Sequence, residues 1–254
     1  MTRRPSISVC MATYNGARFL GEQVASVLPQ LRANDELIVA DDASQDETVA
    51  ILESVRDERV RILRQPRNAG VLKTFESALR QAMGEIVFLC DQDDIWREDK
   101  VASVLGAFEN SPETTLVLTN GELMDTRGRL LGQMLHSGAP LPLGATANFI
   151  RNRYQGSTMA FRREILDAAL PFPEHIPMHD SWIGLVNALV GKAAYLPQSL
   201  VYYRRHENNA TSRNHGPLRR MGAQRWELLK ALLRRSHALI QVRRALRTQQ
   251  FPAV

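Results

Sequence analysis

Short apolar runs alternate with segments of helical spacing along the first hundred residues. The apolar runs, which suit buried strands, are residues 7–12, 36–40, 60–63 and 86–90. The helical segments are 17–30, 47–55 and the stretch after Gly70 that runs through Met83. Strands that alternate with helices favour a parallel sheet with right-handed crossovers. The pattern therefore predicts an α/β fold.

The alternation becomes less regular after about residue 115. Residues 115–119 predict a strand, Asp125–Gly128 a hairpin turn, and the Gly- and Pro-rich stretch 136–147 a loop. The remaining predicted elements are helices near 163–170 and 180–190, and short strands at 194–196 and 200–203. We therefore expect a catalytic domain over 1–215, with one half at about 1–100 and a second half at about 101–215, followed by a helical tail over 216–254.

Composition places the chain among ordinary globular proteins, with 44% apolar and 23% charged residues. It contains no run of about eighteen apolar residues, and the first residues lack the apolar segment of a signal peptide. Cys10 and Cys90 both fall in predicted strands and are expected to be reduced core residues. The cytoplasm is the expected location.

The net charge of +5 is concentrated at the C-terminal end. Residues 217–250 hold nine Arg or Lys and one acid, Glu227, so this segment carries +8 and the remainder −3. No nucleic-acid partner is expected of a body that is slightly acidic. Six apolar residues of the segment fall near one helical stripe: Trp226, Leu229, Leu232, Leu233, Leu239 and Ile240.

A basic amphipathic helix of this kind suits the anionic inner face of the plasma membrane. The alternative is a helix that packs its apolar stripe on the catalytic domain or on a partner subunit, which would make the protein a homo-oligomer. The sequence leaves both alternatives open.

Polar side chains follow three of the predicted strands at the point where each strand ends. They are Thr13-Tyr14-Asn15, Asp41-Asp42 and Asp91-Gln-Asp-Asp94. The carboxyl ends of parallel strands meet at one edge of a sheet, where open α/β folds bind ligands. Crowded carboxylates repel one another, and Mg²⁺ or Mn²⁺ would relieve that repulsion while phosphate oxygens complete its coordination. The clustering predicts a nucleotide-phosphate site.

Within that site, Asp41 or Asp42 can accept the N3–H of a pyrimidine, and backbone groups near Thr13 and Tyr14 can contact the other base edges. Lys73, which follows Asn68-Ala-Gly70, can reach a phosphate as a point charge. Taken singly, Asp42 could be a turn residue and Lys73 a solvated helix residue. The chain has neither a P-loop nor a dinucleotide-binding G-x-G-x-x-G after a strand.

Several segments in order resemble family 2 glycosyltransferases with the GT-A fold. In the first half they are 7–16, 41–48, 68–70 and above all Asp91-Gln-Asp-Asp-Ile-Trp96, a variant that resembles the rhamnosyltransferase-type subgroup. In the second half they are 156–161, His179-Asp-Ser-Trp182 and 203–209. The resemblance covers roughly residues 5–210. The family often has Gly after the last histidine, where this chain has Glu207.

The resemblance implies a GT-A-type α/β fold with a mixed, mostly parallel central sheet, flanking helices and a C-terminal helical extension. It also implies an inverting transfer from a dTDP- or UDP-sugar donor, with rhamnose as the sugar, to a saccharide or lipid-linked acceptor in surface polysaccharide assembly. The residue roles that it implies are metal binding by Asp91, Asp93 and His206, base catalysis by Asp180, acceptor-side positions for His179 and Trp182, and nucleotide contacts by Asn68, Asp91 and Gln92.

Two other classes of protein remain as alternatives. A sugar nucleotidyltransferase has a similar sheet, but its Gly-rich phosphate loop with Arg and Lys is missing after the first strand. A non-catalytic membrane-surface protein would have a decayed metal site, whereas Asp91, Asp93 and Asp180 are intact. Packing, surface and helix-capping roles also remain open for His179, His206, Trp182 and Asp180.

Overall fold

A computed structural model describes residues 3–137, 141–150, 152–207 and 218–250. Within them, nine strands form one sheet: β1 (Ile7–Thr13), β2 (Glu36–Asp41), β3 (Val60–Arg64), β4 (Ile86–Asp91), β5 (Ile95–Trp96), β6 (Thr114–Met124), β7 (Leu130–Met134), β8 (Met159–Arg162) and β9 (Lys192–Arg204). The helices are α1 (Ala17–Val27), α2 (Thr48–Ser54), α3 (Val71–Arg80), α4 (Lys100–Asn110), α5 (Ala145–Ile150), α6 (Ile165–Ala169), α7 (His179–Val190), α8 (Leu218–Arg234) and α9 (Ser236–Gln250).

The sheet is parallel in its first half and mixed in its second. Its strand order is β3-β2-β1-β4-β8-β6-β9-β5, with β7 paired to β6. Strands β1 to β4 pair in parallel, whereas β8 runs antiparallel to both β4 and β6. The predicted α/β fold with a mixed sheet and flanking helices is confirmed, and the carboxyl ends of β1, β2 and β4 meet at one edge as expected.

Apolar side chains alternate between the two faces of the sheet and build a core on each. Val9 and Met11 belong to a core closed by α1, α2 and α4, while Cys10 between them belongs to a core closed by α3, α6 and α7. Both cores continue through β4, which is fully buried over residues 86–90. This double burial accounts for the continuous apolar run that predicted the strand.

Three local predictions differ from the structure. The two short strands predicted at 194–196 and 200–203 are one strand, β9, which carries Pro197 where its register with β6 shifts. Proline cannot donate a ladder hydrogen bond, so the irregularity accommodates it without ending the strand. The predicted loop 136–147 ends in the start of α5, and α1 ends at Val27, before a 3₁₀ turn that contains Pro29.

The C-terminal segment forms two helices where one was predicted, and its apolar residues divide between two faces. Leu228, Ala231, Val242 and Leu246 are buried in the core shared with α6 and α7. Of the predicted stripe, Leu232 and Leu239 are partly buried against that core, whereas four residues are exposed: Trp226, Leu229, Leu233 and Ile240. The helices therefore pack on the chain's own domain through one face and present a second face outward.

Arg235, between α8 and α9, fastens this segment to the domain. Its guanidinium donates to the carbonyl oxygens of Ala168 (2.9 Å), Leu170 (2.6 Å) and Pro171. None of the helices in the described ranges is both long enough and apolar enough to cross a membrane. The predicted boundary at 215–216, Asn208, Asn209 and residues 251–254 lie outside the described residues, as do the side chains of Arg219, Arg220 and Arg247.

Candidate active site

A cleft of about 280 Å³ opens at the carboxyl ends of β1 and β4. One side, here called the sheet wall, consists of Thr13, Tyr14, Asp42 and residues 91–93. A second group of lining residues, here called the helix wall, consists of residues 155–156, which precede β8, and residues 178–180 at the start of α7. The other lining residues are Ala12, Asn68, Gly70, Val71, Thr74, Phe75 and Tyr203. The cleft thus lies where the strand-end carboxylates predicted a ligand site.

Tyr14 and Gln92 hold the ends of β1 and β4 together. The Tyr14 backbone N–H donates to Oε1 of Gln92 (2.9 Å), and Nε2 of Gln92 donates to the Tyr14 carbonyl (3.1 Å). Gly16 leaves room for this pairing, because a Cβ at that position would lie 2.2 Å from Gln92 Oε1. The side-chain amide therefore extends the sheet by one pairing and fixes the backbone that faces the cleft.

Asp41 and Asp42 are adjacent in sequence but have different surroundings. Oδ1 of buried Asp41 accepts hydrogen bonds from the hydroxyls of Thr13 (3.0 Å) and Ser44 (2.5 Å), and its Oδ2 accepts from the Ser44 N–H (2.9 Å). Asp42 lines the cleft and accepts from the backbone N–H groups of Ala69 (2.7 Å) and Gly70 (2.9 Å). Of the two, Asp42 is the carboxylate that a ligand in the cleft can reach.

Asp91 and Asp93 concentrate negative charge on the sheet wall. Burial, and then the charges of Asp93 and Asp180, raise the pKa of Asp91 to about 7. Oδ2 of Asp93 lies 2.6 Å from Nε2 of His206, which follows β9. The structure thus brings His206 to the carboxylate cluster, 113 positions along the chain from Asp93.

The predicted metal ligands are not assembled as a preformed cage. Within the described ranges, no group of three or more His, Cys, Asp or Glu side chains could by itself hold a metal ion. Asp91, Asp93 and His206 nevertheless supply oxygen and nitrogen donors in a region where burial and mutual repulsion disfavour ionised carboxylates. A divalent cation would offset that repulsion, so the donor set fits such an ion when a ligand supplies further oxygens.

Buried side chains hold the turn that carries Asp93 and Asp94. Oδ1 of Asp94, which is fully buried, accepts from the Arg204 backbone N–H (3.0 Å), and Arg204 Nε donates to the Asp93 carbonyl (2.9 Å). Burial, and then the charges of Asp93 and Asp91, raise the pKa of Asp94 well above its usual range. Strand β9 therefore helps to fix the turn that carries the carboxylates.

Lys100 links this turn to the helix wall. Its fully buried Nζ donates to the Ser157 carbonyl (2.6 Å) and lies 4.1 Å from the centre of the Trp96 ring. Burial lowers its pKa to about 8, against the opposing effects of the Cys90, Asp94 and Asp91 charges. The sequence analysis did not single out Lys100, although its position four residues after Trp96 keeps it beside the carboxylates.

Asp180 lies on the helix wall, in the first turn of α7. Its carboxylate accepts hydrogen bonds from the N–H groups of Ser181 (2.5 Å) and Gly156 (3.2 Å) and from the Asn152 amide (3.2 Å). Burial raises its pKa to about 6, and these three hydrogen bonds act in the opposite direction. The group is therefore ionised near neutral pH yet close to the range in which it can take up a proton.

His179 and Trp182 have different environments although both belong to the motif that contains Asp180. His179 lines the cleft, stacks on Phe75 with 3.9 Å between ring centres, and has no hydrogen-bond partner on either ring nitrogen among the described residues. Burial lowers its pKa to about 3, so its ring is neutral at pH 7. Trp182 lies in the core, where Nε1 donates to the Ala169 carbonyl (2.9 Å).

The cleft brings together most of the residues that the sequence predicted. Those that line it are Thr13, Tyr14, Asp42, Asn68, Asp91, Gln92, Asp93, His179 and Asp180. The predicted site residues outside the lining are Asn15, Asp41, Lys73, Trp182 and His206. Lys73 Nζ lies 3.3 Å from the Glu76 carboxylate, and His206 contacts the cleft through Asp93. The sequence analysis gave no site role to Phe75, Asn152, Gln155 or Tyr203. The first three are uncharged and follow no predicted strand end, and Tyr203 is the uncharged last residue of a predicted strand.

The family to which the chain belongs is glycosyl transferase family 2. The model of that family matches residues 8–169. Three relatives are similar: an uncharacterised glycosyltransferase of Nostoc sp., 26% identical over 80% of this chain; the putative teichuronic acid biosynthesis glycosyltransferase TuaG of Bacillus subtilis, 32% over 53%; and the UDP-Glc:alpha-D-GlcNAc-diphosphoundecaprenol beta-1,3-glucosyltransferase WfgD of Escherichia coli, 34% over 37%. The aligned segments span 66%, 54% and 38% of those relatives' own lengths.

Solved structures share the fold. TarS 1–349 of S. aureus in complex with UDP-GlcNAc superposes with a TM-score of 0.69 at 19% identity, covering 97% of this chain and 73% of that one. The mannosyltransferase PcManGT of Pyrobaculum calidifontis, in complex with GDP-Man and Mn²⁺, has a TM-score of 0.61 at 20% identity and covers 100% of this chain and 77% of its own. The expected family and GT-A-type fold are therefore confirmed.

Proposed function

We propose that this chain is an inverting, metal-dependent glycosyltransferase that moves a sugar from a nucleoside-diphosphate donor to a saccharide or lipid-linked acceptor. The observation that carries the proposal is one cleft lined both by a metal-type carboxylate pair, Asp91 and Asp93 after β4, and by a separate carboxylate, Asp180, from the first turn of α7. Transfer with inversion needs these two functions on opposite sides of the donor sugar.

The donor nucleotide would bind along the sheet wall. Asp42 keeps free lone pairs after accepting from Ala69 and Gly70, so it can accept the N3–H of a uracil or thymine base. The Tyr14 and Thr13 segment, fixed by Gln92, would contact the rest of the base, and Asn68 would contact the nucleoside. Asp41 would act indirectly, by holding Thr13 and Ser44 in place.

Asp91, Asp93 and His206 would hold Mg²⁺ or Mn²⁺ together with the donor diphosphate. Such an ion neutralises the charge that develops on the departing diphosphate. Arg204 donates to the Asp93 carbonyl and His206 lies beside the Asp93 carboxylate, so these contacts would hold Asp93 in place for the ion.

Asp180 would act as the base. It takes the proton of the acceptor hydroxyl, whose oxygen forms a bond to the anomeric carbon while the bond from that carbon to the diphosphate oxygen breaks. The electron pair leaves with the nucleoside diphosphate, and the configuration at the anomeric carbon inverts. The neutral ring of His179, next to Asp180, is suited to a hydrogen bond with an acceptor or donor hydroxyl.

The donor sugar is proposed as rhamnose, carried by dTDP or UDP, because the Asp91–Trp96 motif resembles that subgroup. The names of two relatives support the wider setting: TuaG is described as a teichuronic acid biosynthesis enzyme, and WfgD as acting on a diphosphoundecaprenol-linked acceptor. We therefore place the proposed reaction in surface polysaccharide assembly, in the cytoplasm.

The test is release of nucleoside diphosphate from a panel of dTDP-, UDP- and GDP-sugars with Mn²⁺, in the presence and absence of saccharide acceptors. Donor-dependent release that EDTA abolishes supports the proposal. Formation of a nucleotide-sugar from a sugar phosphate and a nucleoside triphosphate would instead identify a nucleotidyltransferase. A protein that binds no nucleotide-sugar and releases no diphosphate would be non-catalytic.

A further inference from the structure

The outward face of α8 carries an apolar stripe that no described part of the chain covers. Trp226, Leu229 and Leu233 fall within one side of the helix, and they are 60%, 38% and 65% exposed. The opposite side of α8 holds Leu228 and Ala231, which are buried in the core. The inward face already anchors the helix to the domain. The outward stripe is therefore not needed for folding and stays exposed in the folded chain.

The two C-terminal helices also carry exposed cations. Arg234, Arg243 and Arg244 are exposed. Ile240, one turn before Arg243 and Arg244 on α9, is 51% exposed. Two other cations of the segment are used inside the protein, since Arg235 donates to three carbonyls and Arg225 donates to the Ile150 carbonyl (2.7 Å). The exposed arginines are therefore available to a partner, and the segment as a whole carries +8.

We infer that this surface docks on an anionic lipid bilayer. A self-complementary dimer would place two segments of charge +8 against each other, which like-charge repulsion opposes. An anionic bilayer offers the opposite charge over a wide, flat area, and tryptophan with leucine is the combination that enters a membrane interface. The inference does not depend on the proposed transferase activity.

The tryptophans make the inference directly measurable. The chain has three, and Trp96 and Trp182 are 2% and 0% exposed, whereas Trp226 is 60% exposed. Insertion of Trp226 into an interface moves it from water to a less polar medium. Titration of full-length protein with vesicles of equal parts phosphatidylglycerol and phosphatidylcholine should therefore shift the emission to shorter wavelength, and vesicles of phosphatidylcholine alone should not.

Cosedimentation with the same vesicles separates the apolar contribution to binding from the electrostatic one. The variant W226S/L229S/L233S should lose binding at low salt, and R243Q/R244Q should weaken it about fivefold per charge removed, with a reduced salt dependence. Met83→Ser is the matched control, because Met83 is 77% exposed but lies before β4, at the sheet edge opposite the cleft. It should bind as the unchanged protein does.

Truncation is a poor test because Leu228, Val242 and Leu246 belong to the domain core. Circular dichroism and thermal unfolding of the surface variants should match the unchanged protein, which rules out unfolding as the cause of lost binding. Three results would overturn the inference. The first is no binding of the full-length protein to anionic vesicles at low salt. The second is a stable dimer in light scattering that W226S/L229S/L233S dissociates, and the third is vesicle binding that persists in that triple variant.

Discussion

The sheet wall and the helix wall of the cleft differ in what holds their carboxylates. Asp42 and Asp91 stand at the ends of parallel strands whose register is fixed by continuous ladders. Asp180 stands in the first turn of a helix and is held by three single hydrogen bonds, from Ser181, Gly156 and Asn152. One wall therefore takes its geometry from the ladders of the sheet, while the other depends on two backbone N–H groups and one side-chain amide.

The largest loss of transfer rate is expected from a substitution in the sheet wall. Asp93→Asn removes the carboxylate that faces His206, and it should lower transfer by roughly a thousandfold or more because metal stabilisation of a leaving diphosphate is worth several kcal/mol. The measurement is the initial rate with Mn²⁺, together with calorimetric titration of UDP with and without Mn²⁺. Full activity in Asp93→Asn, or in EDTA, would remove the metal from the mechanism.

The next effect is expected on the helix wall. Asp180→Asn keeps the size of the side chain but cannot take a proton, so kcat should fall by about 10²- to 10⁴-fold while donor affinity stays within about twofold. Rapid-quench or steady-state kinetics, with donor binding measured separately, would distinguish the two quantities. An equal loss of donor affinity and kcat would assign Asp180 to donor binding and would leave the base unidentified.

A smaller effect is expected where the sheet wall depends on close packing. In Gly16→Ala the new Cβ would displace the Gln92 amide from Tyr14, lowering the free energy of unfolding by about 1 kcal/mol and raising the donor KM several-fold. Gly21→Ala is the matched control, because nothing lies within 4 Å of a Cβ there and α1 should gain slightly in stability. A donor KM unchanged in Gly16→Ala would show that the Tyr14–Gln92 pairing does not shape the donor site.

The transfer rate should depend on pH through Asp180 on the helix wall. Because Asp180 has a pKa of about 6 and must be ionised to act as a base, kcat should fall as the pH drops through about 6. The Asn152 amide stabilises the ionised form, so Asn152→Ala should raise this pKa and move the acidic limb to higher pH by less than about one unit. A limb that does not move would mean that another group controls the profile.

The smallest effect concerns Lys73, which the sequence predicted as a phosphate contact. Its ammonium lies beside Glu76 and outside the cleft lining, so Lys73→Met should change the donor KM by less than about twofold. A tenfold loss of donor affinity would instead show that Lys73 leaves Glu76 and reaches the phosphate. Arg80→Met is a suitable control, since Arg80 also pairs with Glu76.

The comparison also explains which parts of the site could be predicted from the sequence. Strand periodicity located the ends of β1, β2 and β4, and a parallel sheet must bring those ends together. Strand periodicity could not predict which of Asp41 and Asp42 faces the cleft. That difference arises from their hydrogen-bond donors, which are Thr13 and Ser44 for Asp41 and Ala69 and Gly70 for Asp42.

On the helix wall, the motif at residues 179–182 predicted Asp180, but nothing in the sequence predicted the groups that donate hydrogen bonds to it. Asn152 and Gly156 reach Asp180 across 28 and 24 positions that include β8 and α6, and neither periodicity nor turn chemistry predicts a contact over that separation. The motif also grouped Trp182 with Asp180, although two residues along a helix point to different sides, and Trp182 faces the core.

The pairing of β9 with β5 and β6 has a consequence for the order in which the enzyme matures on the ribosome. Strand β9 delivers the Arg204 contacts to Asp93, Asp94 and Glu22, the last across 182 positions, and His206 follows directly. A nascent chain that has emerged only as far as α7 therefore has its carboxylates but lacks both the Arg204 guanidinium and the His206 imidazole. The turn that carries Asp93 and Asp94 is therefore completed late in synthesis, when the last strand of the sheet docks.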